Sequence, residues 1–456
     1  MTLASIPRYD SEHVGRVGEH AVVVGASISG LLTARVLADV FDRVTVVEHD
    51  TLPDEPAARD GTPQTQQPHL LQKSGRTIID DLFPNFGDEF LAAGGLVIDA
   101  ASDFNFYDEA GYVAHPATRI PLYAGSRPLL EYILRKRVFD IDGARLLDGS
   151  HVADYRLDET GESVVGVETR GDSEMALPAD LTVDATGRAS RTPKWLEAQG
   201  YTPPEVAEVS VDLAYSAVTV ERDSGDTRAF WAPASPPDTR GGGTVPIEGG
   251  RREMLVHGVH GDDPPRDVDE FGEFASTLQI TELAEILERH EILSEDVSYY
   301  PFPSNYRRYY ERLDRFPDGL VVVGDAIASY NPVYGQGMSV AALHALVLHH
   351  TLADNGLGGL AVRFFDEAEQ VIDTAWLMTV GADFQFPQTT GPRPRGAGLM
   401  GWYLSRLTSK AHTDRELAER LFRVIMMEEP PASLFRPGVM GRVLKPSLQF
   451  LHRPDT

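Results

Sequence analysis

The stretch from residue 20 to residue 48 constrains this chain more than any other. Ala21-Val22-Val23-Val24 is an uninterrupted apolar run, the pattern of a strand buried on both faces of a parallel sheet. It leads into Gly25-Ala26-Ser27-Ile28-Ser29-Gly30, a helical stretch from Leu31 to Val40, and a second apolar run, Val44 to Val47, that ends on Glu48. Strand, turn, helix and strand in that order form a β-α-β unit, which commits the chain to the α/β class with a Rossmann-like domain. Gly25 provides the tight turn, Gly30 lets helix and strand approach closely, and the N–H groups around Ala26, Ser27 and the helix start form a cradle for a pyrophosphate. Ser27 stands where the dinucleotide fingerprint has its second glycine, and its side chain is small enough for close backbone approach. Glu48 lies 18 residues beyond Gly30, near the ~20 at which a carboxylate reaches a ribose hydroxyl pair.

A second element repeats this logic far along the chain. Leu320 to Val323 is another buried-strand run; it leads into Gly324-Asp325-Ala326, then Asn331-Pro332-Val333-Tyr334-Gly335-Gln336-Gly337-Met338 and a helix to Leu352. Asp325 at a strand end can hold a polyol, and the turn before Gly337 exposes N–H groups at a helix start. Two distant nucleotide-like elements imply one long cofactor bound by a discontinuous domain, residues 18–199 and 313–355. Between them, residues 200–312 change texture. Strands at 209–220 and 253–259 sit among turns such as Pro236-Pro237-Asp238, the pattern of an inserted, mainly antiparallel substrate domain that also draws on part of 95–125. Helices are expected at 70–82 and 128–138, a long loop at 51–68, and a helical C-terminal region over 356–456. A length of 456 residues suits such a division.

Composition excludes several chemistries. With no cysteine, disulfides, thiolate metal sites, Fe–S clusters and thiol nucleophiles are ruled out, so any redox chemistry belongs to a cofactor; no metal site is expected. The formal charge of −28 repels nucleic acid and anionic lipid. Only five lysines accompany 69 acidic residues, a balance that points to a protein folded in concentrated salt, a halophilic trait. The N-terminus reads as neither signal peptide nor spanning helix, and the expected location is cytoplasmic.

The opening motif with Glu48, the Val183-Asp184-Ala185-Thr186-Gly187-Arg188 element and the Gly324 to Met338 segment together resemble the p-hydroxybenzoate hydroxylase-like (group A) flavoprotein monooxygenases, over about residues 20–355. Within that superfamily the chain looks closest to polyether-biosynthesis epoxidases, with squalene epoxidase more distant. Arg59-Asp60-Gly61-Thr62-Pro63-Gln64, Pro68-His69-Leu70-Leu71, Ser126-Arg127-Pro128-Leu129-Leu130 and Asn331 to Ser339 carry that finer likeness. The resemblance implies FAD, with the adenine ribose on Glu48, the pyrophosphate at Gly25, Ala26, Ser27 and Gly30 with Arg59, the ribityl chain on Asp325, and the ring edge beside Gly337 and Met338. Arg127, Arg135 and Val152 match further FAD-contacting positions. It also implies NADH or NADPH as electron donor, O2 as co-substrate, and hydroxylation or epoxidation of an apolar, polyene or isoprenoid-like molecule through a flavin C4a-hydroperoxide.

The catalysis is flavin-centred and no side chain is assigned as essential. His69, Tyr215, Tyr334 and Gln336 are candidates for the substrate pocket, Gln336 because it lies inside the turn that meets the ring. Phe230, Trp231, His257 and His260 fall in the inserted domain, and Trp376, Asp383 and Phe384 in the C-terminal region, where they either close the pocket or pack between domains. An isoprenoid double-bond reductase of the geranylgeranyl reductase kind is the alternative, since it shares the fold and the Asp-Ala-Thr-Gly element. A flavin halogenase requires a lysine between flavin and substrate, and none of the five lysines falls at a suitable place.

Overall fold

The computed structural model describes residues 1–59, 61–172, 174–394 and 396–446; Asp60 of the 59–64 motif and residues 447–456 of the helical C-terminal region lie outside them. The expected β-α-β unit is strand β1 (Gly18–Val24), helix α1 (Ile28–Leu37) and strand β2 (Phe41–Val47). Both strands are interior members of a five-stranded parallel sheet, in the order Leu320–Val322, Leu181–Asp184, β1, β2, Ala144–Leu147. Val22, Val23 and Val46 are fully buried because helices or a further sheet cover both faces. α1 packs on one face with the long helix Gly337–Asn355, while a three-stranded antiparallel sheet, residues 150–178, covers the other through Val167 and Tyr155.

An eight-stranded sheet forms the second layer, in the order Ala328–Ser329, Ser298–Arg308, Val206–Glu221, Arg251–Val259, Arg240–Ile247, Ala229–Ala232, Phe104–Asp108, Gly111–Tyr112. Its core pairs are antiparallel, but Ala229–Ala232 runs parallel to Phe104–Asp108, because the latter strand arrives from the other side of the chain's first 200 residues. Helix Leu360–Asp383 follows and packs on Gly337–Asn355, and helices Ala397–Ala411 and Arg415–Ile425 cap one end of this sheet.

The helix expected to begin at Leu70 begins at Lys73, since Leu70–Leu71 instead pairs with Pro121–Ala124 as a short strand. α1 starts three residues earlier than expected, at Ile28, and ends at Leu37 rather than Val40.

Gly30 is a tight junction of turn and helix: a Cβ there would lie 1.9 Å from the Gly25 carbonyl oxygen. Gly30→Ala is therefore expected to destabilise the fold by about 1–3 kcal/mol through overpacking, measured as a lower urea midpoint at unchanged slope. An unchanged midpoint contradicts the close approach.

Candidate flavin site and an adjoining apolar chamber

All five parallel strands end on the same side, and a cleft of about 940 Å3 opens there between their C-terminal ends and a face of the eight-stranded sheet. At its first end, Glu48 is buried. Its Oε2 accepts from Ala26 N at 2.8 Å and its Oε1 from Asp50 N at 3.1 Å, so the carboxylate shapes the turn it belongs to. Arg59 reaches Glu48 at 3.3 Å, Asp50 at 2.8 Å and Glu131 at 2.9 Å. Val152 lines the same end.

In the middle of the cleft lies the Gly25–Gly30 turn. Gly25 has φ of +105°, and a Cβ there would sit 2.7 Å from the Ala185 carbonyl oxygen, so the turn passes directly over the Asp184-Ala185-Thr186 element. The first N–H groups of α1 have no partner within the helix. Arg127, buried, donates through Nη2 to Ser27 Oγ at 2.9 Å and has Glu131 at 3.5 Å. Burial lowers its pKa, and the Glu131 carboxylate opposes this. Ser29 Oγ lines the cleft and is buried without a partner. Asp325 also projects here, open to the cleft yet deep in the molecule. That depth raises its carboxyl pKa, while Arg127 and Arg188 pull it back.

The far end is lined by His69, Tyr215, Trp231, Val333, Gly337 and Met338. His69 Nδ1–H donates to the Gln67 carbonyl at 2.6 Å. Burial, with the Arg127 charge, pushes its pKa down to about 3, so it stays neutral and leaves Nε2 as an acceptor.

The structure does not gather every expected residue in this cleft. Arg135 does not line the cleft: two turns beyond Arg127 along the helix Arg127–Phe139, it donates to the Pro53 carbonyl and lies over the Tyr132 ring. Gln336 does not line the cleft. Its Oε1 accepts from Thr379 Oγ1 at 3.0 Å, which turns the side chain towards the C-terminal helices. Tyr334 faces the same way, its hydroxyl 3.2 Å from Asp383. Two residues were given no site role by sequence reasoning, Arg188, which lines the cleft, and Glu131, which pairs with the cleft residues Arg59 and Arg127. Arg188 stacks over the rings of Phe302 and Tyr306 and donates to the Ser304 carbonyl at 2.8 Å, joining the two layers. Glu131 stands between Arg59 and Arg127; its signal was the spacing of four from Arg127 on one helix.

Gln336 and Tyr334 instead line a second cavity of about 260 Å3, walled by Phe104, Phe106 and Val245 of the sheet and by the C-terminal helices. Pro68, Leu70, Trp231, Pro332, Val333 and Gly335 border both spaces, so cleft and chamber share one thin wall. The 331–335 turn in that wall is pinned by Asp383, which accepts from Asn305 at 2.7 Å, Asn331 at 2.9 Å and Tyr334. Burial pushes the Asp383 carboxyl up to about 6. Beside it, a void of about 10 Å3 touches His257, His260 and Phe386.

The comparisons with known proteins agree with this geometry. The FAD binding domain family matches residues 19–363. The chain belongs to that family. It is an FAD-dependent oxidoreductase. A protein of Mycobacterium tuberculosis (strain ATCC 25618 / H37Rv), Protein Rv3254, is 32% identical over 455 residues, covering 95% of this chain and 96% of that protein. Among solved structures, the flavin-dependent brominase Bmp2 superposes with a TM-score of 0.65 at 16% identity, covering 93% of this chain and 97% of that one. p-Nitrophenol 4-monooxygenase PnpA from Pseudomonas putida DLL-E4 superposes at 0.63 and 16%, covering 92% and 99%. At such identities these structures share the fold.

His257 is buried, both ring nitrogens lack partners, and its pKa falls to about 3. A histidine neutral when folded and ordinary when unfolded stabilises above pH 6.5 and is a liability as the pH falls. His257→Leu is therefore expected to gain about 2 kcal/mol on the parent between pH 7 and pH 5, read from urea unfolding at both values. A difference independent of pH contradicts the neutral assignment.

Proposed function

We propose that this protein is an FAD-dependent monooxygenase that hydroxylates or epoxidises an apolar, polyene or isoprenoid-like molecule, with NADH or NADPH as reductant. The observation that carries it is the pairing of a cleft built for one long dianionic cofactor with a separate apolar chamber behind a wall of Trp231, Pro332 and Val333. The residues fit FAD: a turn that admits no Cβ at Gly25 or Gly30, the Arg127 guanidinium at Ser27, and carboxylates at Glu48 and Asp325. Glu48 would hold the adenine ribose, Ser27, Arg127 and the start of α1 the pyrophosphate, Asp325 the ribityl chain, and Gly337 and Met338 the ring edge. Bound reduced flavin supplies the activation of dioxygen.

The chain's own part is orientation and water exclusion. Leu255, Phe302 and Tyr215 close the cleft from the sheet side, and the chamber's aromatic and aliphatic walls hold an apolar substrate beside it. The shared wall carries no charged side chain, only aliphatic groups, the Trp231 indole and backbone amides, which suits delivery of an oxygen atom across a short gap. Neither cavity is lined by a lysine among the described residues, which disfavours the halogenase chemistry of a neighbour such as Bmp2.

Two measurements test this. Glu48→Ala and Asp325→Ala each remove a charged hydrogen-bond partner worth ~1.5–3 kcal/mol, so FAD affinity is expected to fall about 10- to 100-fold. Retained flavin content contradicts the assignment. For the reaction, the FAD-loaded protein is reduced anaerobically in molar salt, suited to its acidic surface, and mixed rapidly with oxygenated buffer. A spectral species distinct from reduced and oxidised flavin is expected before reoxidation completes. Direct reoxidation, with and without isoprenoid ligands, favours the reductase alternative.

A further inference from the structure

The short turn that carries Asp325 is held by its backbone from three sides. Gly324 has φ of +62°, and a Cβ there would lie 2.5 Å from Ser29 Oγ, so the turn is wedged against the start of α1. The Gly324 N–H donates to His344 Nδ1 at 3.1 Å, on the helix Gly337–Asn355. From the opposite layer, on the strand Ser298–Arg308, the Tyr306 hydroxyl donates to the Asp325 carbonyl and Arg308 Nη1 to the Ala326 carbonyl at 2.6 Å. The guanidinium groups of Arg188 and Arg308 each lie 4.6 Å from the centre of the Tyr306 ring. The Asp325 carboxylate itself receives only Ser329 Oγ, at 3.4 Å, and stays open to the cleft.

His344 is the unexpected member of this set. Its neighbours Leu343, Ala345 and Leu346 are fully buried and apolar, and its ring meets Phe364 edge-on at 83°. With Nδ1 accepting, the ring proton sits on Nε2, which is buried without an acceptor. Burial pushes the pKa down to about 3, so the ring is neutral. A leucine would fill the same apolar surroundings without burying an unpaired N–H, which costs free energy. What the histidine adds is one uncharged acceptor for the backbone of the turn.

We infer that His344 and Tyr306 are positioning residues for the cofactor: they fix the Gly324–Ala326 turn so that the Asp325 carboxylate faces the cleft before the ribityl chain arrives. His344 acts from the parallel-sheet layer and Tyr306 from the eight-stranded sheet. Binding of the ribityl half therefore depends on the docking of the two layers, whereas binding at Glu48 and the Gly25 turn does not. The inference rests on the reading of Asp325 as the ribityl-binding carboxylate.

The test separates the two halves of the cofactor. Flavin-free protein is titrated calorimetrically with FAD and with ADP, which carries only the adenylate and diphosphate groups that Glu48 and the Gly25 turn would hold. His344→Leu and Tyr306→Phe are each expected to weaken FAD about ten-fold, the scale of one hydrogen bond, with ADP affinity unchanged. In His344→Asn the side-chain Oδ1 replaces Nδ1 as an uncharged acceptor, and FAD affinity is expected to return to within about three-fold of the parent. Tyr306→Phe keeps the ring beside Arg188 and Arg308, so it decides the matter even if His344→Leu does not fold. A loss shared equally by FAD and ADP would mark a general loss of structure and overturn the inference. Unchanged FAD affinity in His344→Leu and Tyr306→Phe, or a His344→Asn protein no better than His344→Leu, would overturn it too. Parent-like FAD binding by Asp325→Ala would instead overturn the reading of Asp325 on which the inference rests.

Discussion

The structure depends on a buried set of charges beneath the Gly25–Gly30 turn. Arg59 and Arg127 share Glu131, while Glu48 and Asp50 complete the pairing of Arg59, and every one of these side chains is largely withdrawn from solvent. Such a cluster survives only if its members satisfy each other, since removing one partner from a buried pair costs ~3–5 kcal/mol. Here the cluster also spans the fold: Glu48 closes β2, Arg59 comes from the long loop, and Arg127 and Glu131 from a helix some 70 residues on. It therefore fixes the loop against the parallel sheet. Arg127 donates to Ser27, so one cation of the cluster lies where a diphosphate would enter.

The second organising feature is the shared wall. One turn, Asn331 to Gly335, faces the cleft on one side and the chamber on the other; Asp383 of a distant helix holds it by two hydrogen bonds, from Asn331 and Tyr334, and by a third through Asn305, which accepts from Asn331 N. A wall pinned so firmly keeps two environments apart: a wet, charged groove suited to phosphates and ribose, and an apolar space suited to hydrocarbon. No helix among the described residues is long and apolar enough to cross a membrane.

Much of this was legible in the residues, for reasons that are local. Val22, Val23, Gly25, Gly30 and Glu48 announce their roles because strand burial and the tight turn act over a few neighbours. The same holds for Leu320 to Asp325 and the helix at Gly337. What escaped was non-local. Arg135 and Arg127 look alike in sequence, and only the folded helix shows that Arg127, at its start, faces the cleft while Arg135, two turns on, reaches Pro53. Gln336 sits in the right turn, yet Thr379, 43 residues later, turns it away. The chamber itself had no signature, because its walls come from one strand near residue 104 and three helices beyond residue 360 that only the folded chain brings together.

The central claim is that the charge cluster and the Gly25 turn form a site preorganised for the adenylate and diphosphate half of the cofactor. It is tested most directly by titrating flavin-free protein with FAD and with FMN, following flavin fluorescence. Since FMN lacks the adenylate half that Glu48 and the turn would hold, FAD should bind about 100-fold more tightly. Equal affinity for FMN would contradict the account.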